Sequence, residues 1–126
     1  MLNDVLITNS VTATQEYVRI INHLKAENLI VAVGVQGHAH VFKVGVPNAP
    51  TIDGRPWAAE EDIRVHKASL DRIAATGVPI QVTELDLDGL AAGGVPGDEV
   101  QLADYRRVFA TLWEHPGVDG VTLWGR

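Results

Sequence analysis

Three short stretches of this 126-residue chain carry side chains able to do chemistry: Gly34-Val35-Gln36-Gly37-His38, Thr83-Glu84-Leu85-Asp86 and Leu123-Trp124-Gly125. Glu84 and Asp86 close an apolar run that begins after Pro79. A charge at the end of a buried strand is costly to desolvate unless it has a partner or a task. Strand alternation places Gln81, Thr83 and Leu85 on one face and Val82, Glu84 and Asp86 on the other. His38 closes an earlier apolar run, with Gln36 on its face. A histidine beside a carboxylate holds it in one rotamer and, when protonated, keeps it ionised. A carboxylate held that way suits attack on a sugar anomeric carbon. The alternative is that the two residues form a buried structural pair.

Two histidines two apart on a strand share a face, so His38 and His40 with Glu84 would also suit a metal-dependent hydrolase. Asp86 is expected to turn into its own loop. Trp124, at a strand end, can stack on the C–H face of a pyranose or fill the rim of the core. Trp57 reads as a packing anchor in a long loop, and Trp113 as core by its helical phase. The loop over 89–97 is rich in glycine but lacks phosphate-binding or dinucleotide spacing, so it reads as a surface loop. His23, His66 and His115 read as surface or capping residues.

The elements that must position these groups alternate between apolar runs and amphipathic stretches. Strands are expected at Asp4–Thr8, Leu29–Val35, Ile80–Leu85 and Gly120–Trp124. Helices are expected from a cap at Thr12 or Thr14 to about Glu27, over Glu60–Thr76, and over Glu99–Glu114, with loops at 36–57 and 86–98. The order βαβαβαβ implies a parallel sheet with right-handed crossovers, an α/β fold with function at the C-terminal ends of the strands. Both edges of such a sheet would be open, so the chain is expected to be one part of something larger.

Composition narrows the class. Hydrophobic residues make up 46%, so a folded core is expected over disorder. A net charge of −6 with dispersed acids argues against nucleic acid or an anionic membrane as partner. No stretch approaches a membrane span of roughly 20 residues, and the N-terminus lacks a signal-peptide layout, which leaves localisation unassigned. With no cysteine, disulfides and thiolate metal sites are excluded.

The motif Gly34-Val35-Gln36-Gly37-His38, the segment from Leu70-Asp71-Arg72 to Thr83-Glu84-Leu85-Asp86, and Trp113-Glu114-His115-Pro116 followed by Leu123-Trp124-Gly125 resemble the C-terminal half of glycoside hydrolase family 10. Leu2-Asn3-Asp4 resembles the start of that family's fifth strand. The resemblance implies a partial (β/α)8 barrel, strands five to eight, covering residues 1–126, from retaining endo-1,4-β-xylanases that need no cofactor. It further implies Glu84 as catalytic nucleophile, His38 orienting it, Gln36 shaping the sugar site, and Trp124 lining the subsite at the cleaved bond of β-1,4-xylan or a related β-glycan. The family's acid/base glutamate follows the fourth strand in an Asn-Glu pair, and this sequence has no such pair. Val5 and Leu6 stand where Tyr and Asn are usual. The chain alone is therefore expected to be inactive on polymeric xylan; the alternative is a non-catalytic half-barrel that pairs through its open edges with a copy of itself or with a missing half.

Overall fold

The computed structural model of the chain describes residues 1–42, 59–87 and 97–125. Its elements are β1 (Leu2–Asp4), α1 (Val11–Ala26), β2 (Val33–His38), α2 (Ala39–Phe42), α3 (Ala59–Ala74), β3 (Ile80–Asp86), α4 (Asp98–Trp113) and β4 (Val118–Leu123). The strands form one parallel sheet in the order β1-β2-β3-β4. Sequential parallel strands joined through helices make a section of a (β/α)8 barrel. Among the described residues β1 and β4 each pair on one side only. Trp57 and the 89–96 part of the glycine-rich loop lie outside the described residues.

Local chemistry moves several boundaries. Ser10 caps α1, its hydroxyl accepting from the Ala13 N–H at 3.2 Å. Thr14, an expected cap, is instead buried one turn in, with Oγ1 at 3.0 Å from Ser69 Oγ. β1 lies earlier than alternation suggested, because Asp4 Oδ1 accepts the Val5 N–H at 2.8 Å and Leu6 takes φ 60, which ends the strand. β2 begins four residues after Leu29. Asn28 reverses the chain at φ 57, and Leu29 and Val31 are left 70% and 80% exposed. Trp113 is likewise 61% exposed, stacked on Phe109 at 5.7 Å.

The core lies between the helices and the strand residues that face them. Val33, Val35, Ile80, Val82 and Leu85 pack with Tyr17 and Ile21 of α1, Leu70 and Ile73 of α3, and Val108 and Leu112 of α4. Two histidines read as surface or capping residues, His66 and His115, are buried. His66 Nδ1 lies 2.8 Å from Thr8 Oγ1. His115 Nδ1 accepts the Gly117 N–H at 3.1 Å, which leaves its proton on Nε2 to donate to Asp71 Oδ1 at 3.1 Å. The sequence signal was available: His115-Pro116-Gly117 is a tight helix exit, where buried carbonyls and amides need side-chain partners.

Tyr17 ties α1 to the sheet. Its hydroxyl lies 2.9 Å from the Leu2 carbonyl and 2.7 Å from the Gly34 carbonyl, donating to either. Burial pushes the phenol above its ordinary value, with the Asp4 charge adding to the shift. A phenol whose folded-state value is raised favours the fold fully below the unfolded value of about 10, and that contribution is lost as pH climbs beyond it. Stability measured by urea unfolding should therefore fall above about pH 10. Tyr17→Phe should flatten that limb; an unchanged slope would show that Tyr17 does not set it.

Candidate active site

The site is built where β3 departs from its neighbours. Gln36 pairs with Thr83 and His38 with Asp86, so β3 holds one more residue than β2 over this span. Val82 pairs with Val121 and Leu85 with Leu123, giving the same excess against β4. Glu84 sits inside this extra turn of chain, a β-bulge, with φ 59 in the left-handed region. The bulge resets alternation. Val82 and Leu85 both enter the core, while Thr83 and Glu84 remain half-buried. Glu84 therefore does not continue the face of Val82, as strict alternation had it.

The Glu84 carboxylate faces His38, with Oε2 at 3.1 Å from Nε2. The other ring nitrogen, Nδ1, lies 3.0 Å from Asp86 Oδ1. That same oxygen accepts the Ala39 N–H at 3.0 Å. Asp86 is thus not turned into a loop; it is the last residue of β3 and grips the histidine from behind. Sequence reasoning missed this because the bulge was invisible to it. The available signal was spacing, since two acids two apart can hold one imidazole between them once an extra residue re-aims the first. A protonated His38 donates to both carboxylates; a neutral one donates to one only. Either way the ring is held at both ends and presents Glu84 in one orientation. The arrangement can direct a carboxylate oxygen at an electrophile lying over the sheet's C-terminal edge.

Trp124 completes this rim. Its backbone N–H donates to the Leu85 carbonyl at 2.8 Å, and its ring meets His38 edge-on at 6.4 Å and 89°. At 57% exposure it is an open aromatic surface beside the histidine, not a core residue. Gln36 is half-buried, two residues before His38. Among the described residues no group of three or more His, Asp or Glu could hold a metal ion, and the His40 side chain lies outside them.

A non-glycine residue in the left-handed region costs about 1–2 kcal/mol. Glu84→Gly should accordingly be more stable than Glu84→Ala by about 1 kcal/mol, both having lost the His38 contact. Urea unfolding of the two variants checks this; an alanine variant as stable as the glycine one would remove the strain from the account.

Fold and rim together define a section of a (β/α)8-barrel protein with a histidine-gripped carboxylate at the C-terminal strand ends. The chain belongs to glycosyl hydrolase family 10, whose model matches residues 1–126. Among solved structures it is similar to an intracellular xylanase from Thermoanaerobacterium saccharolyticum, with 27% identity, TM-score 0.66, and coverage of 98% of this chain and 33% of that one. A mutant of that xylanase in complex with xylotetraose matches at 27% identity and TM-score 0.67, with the same coverage of 98% and 33%. A glycosylated endo-β-1,4-xylanase from Gloeophyllum trabeum is 25% identical, TM-score 0.61, covering 98% of this chain and 33% of that one. The chain thus spans about a third of the length of these proteins. A search of curated proteins gave no match.

Proposed function

We propose that this chain carries the nucleophile half of a retaining endo-1,4-β-xylanase site. The observation that carries the reading is the Asp86–His38–Glu84 chain of contacts, with Trp124 beside it, at the strand ends of a family 10 barrel section. Glu84 attacks the anomeric carbon of a β-xyloside and the glycosidic C–O bond breaks, leaving a glycosyl ester on Glu84; water then hydrolyses that ester. His38 orients the attacking oxygen, Asp86 holds His38, Gln36 borders the sugar, and Trp124 offers its open face to the ring. Retaining hydrolysis also needs an acid about 5–5.5 Å from the nucleophile to protonate the leaving oxygen. Asp86 is unsuited to that role, being engaged by His38 Nδ1 and the Ala39 N–H. The substrate is β-1,4-xylan or a related β-glycan, with no cofactor required.

Aryl glycosides with a dinitrophenolate leaving group need no acid, so they test the class directly. The chain is expected to release dinitrophenolate from the β-xylobioside and not from an α-xyloside. Equal release from both anomers would contradict the reading.

A second reading concerns assembly. The outer edges of β1 and β4 are unpaired among the described residues, and parallel edges of this kind take up a further strand. On this reading the half-barrel pairs with a copy of itself or with a complementary half. Sedimentation equilibrium showing about twice the 13.6 kDa chain mass would support self-pairing, and a monomer that unfolds cooperatively would refute it.

A further inference from the structure

We propose that Asn3 is a positioning residue for Glu84, acting through Thr83 across the gap left by Gly34. The proposal rests on Glu84 being the reacting carboxylate, but the geometry behind it is independent of the sugar. A bulged residue has lost its ladder partner, so its orientation depends on how its two neighbours are fixed. On the C-terminal side, Leu85 is fully buried and Asp86 is bound by the Ala39 N–H at 3.0 Å. On the N-terminal side the fixing group is Thr83, whose hydroxyl donates to Asn3 Oδ1 at 2.9 Å.

That bond spans a whole strand, since Asn3 is on β1 and Thr83 on β3, with β2 between them. Only glycine allows it. A Cβ on Gly34 would lie 2.8 Å from Asn3 Cγ and closer still to its Oδ1. Asn3 pairs with Gly34 in register, so its side chain lies flat over the glycine to reach Thr83. On the opposite face the Tyr17 hydroxyl donates to the carbonyl of Leu2 or of Gly34, the residue before Asn3 and the one beneath it. The clamp is therefore anchored from both sides of the sheet. Inward side chains from alternate strands form the layers of a closed barrel, and Asn3 with Thr83 is such a pair directly below Glu84. Asn3 fixes the Thr83 side chain, Thr83 fixes the peptide that enters Glu84, and the left-handed turn at Glu84 aims the carboxylate at His38.

The test uses Asn3→Ala, Thr83→Val, their combination, and Asn3→Asp, which keeps the acceptor oxygen. The first readout is the NMR chemical shifts of the His38 ring, which Glu84 and Asp86 both face; the His115 ring serves as an internal reference. The second is the rate of dinitrophenolate release. Asn3→Ala and Thr83→Val should each move the His38 ring shifts, leave those of His115 in place, and slow release about tenfold. The double variant should add nothing, because one bond is removed in every case, and Asn3→Asp should restore the release rate. Unmoved His38 ring shifts, or additive effects in the double variant, would overturn the proposal. If the wild-type chain releases nothing, the xylanase reading fails, while the His38 ring shifts still decide the clamp.

Discussion

Exchange of Glu84 for alanine is expected to abolish dinitrophenolate release from an activated β-xylobioside, by about 10⁴-fold or more, the scale on which losing a nucleophile acts. The physical reason lies in what stands beside it among the described residues. Asp86, a second carboxylate on the same histidine, is held by the Ala39 N–H and by His38 Nδ1. Removing Glu84 leaves the His38 imidazole facing the site, and an imidazole cannot form a glycosyl ester. Unactivated β-1,4-xylan should be cleaved far more slowly than the activated substrate even by the wild-type chain. Lost general-acid help costs about 10²–10⁴-fold, and it falls only on substrates whose leaving oxygen needs a proton. Steady-state rates on both substrates, for wild type and Glu84→Ala, check both statements. Reducing-sugar release from xylan as fast as dinitrophenolate release would show that an acid is present after all.

The largest stability effect is expected at Leu85. It is fully buried and lies beside the bulge, where its Cδ1 would stand 3.0 Å from a Cβ on Gly37. Truncation to alanine leaves a cavity that a tightly paired strand closes poorly, and should cost about 2–5 kcal/mol. Against a total stability of about 5–15 kcal/mol that is a large share. Leu85 also accepts the Trp124 backbone N–H through its carbonyl at 2.8 Å, so a shift there reaches both Glu84 and the aromatic rim. Leu85→Met, which nearly conserves volume, should cost less than about 1.5 kcal/mol. Urea midpoints of the two variants decide it; similar losses would mean the site is not packed as described.

The parts of this account legible in the sequence were those carried by strong periodicity or punctuation. α3, α4 and β3 lie within two residues of expectation, because Gly77 and Pro79 mark one boundary and helical spacing marks the others. The parallel fold and the meeting of His38 with Glu84 were legible too. What failed did so for physical reasons. Leu29 and Val31 looked like the start of a strand, but apolar type does not fix burial, and the turn at Asn28 leaves them outside. Trp113 followed the helical phase of a core residue yet lies exposed against Phe109. Asp86 was misplaced because one extra residue in β3 reverses every side chain beyond it, and a bulge leaves no mark on alternation until the neighbouring strands are seen.

Covalent trapping reports directly on whether Glu84 is the nucleophile. A xylobioside fluorinated at C2 and carrying a dinitrophenolate leaving group reacts once and hydrolyses slowly, because fluorine destabilises both oxocarbenium-like transition states while the leaving group rescues only the first. Incubated with the chain, it is expected to add one fluoroxylobiosyl group, seen by intact mass and mapped by peptide sequencing to Glu84. Glu84→Ala should remain unlabelled. A label on Asp86 or any other residue, or an unmodified wild-type chain under conditions that label a complete family 10 xylanase, would contradict the claim.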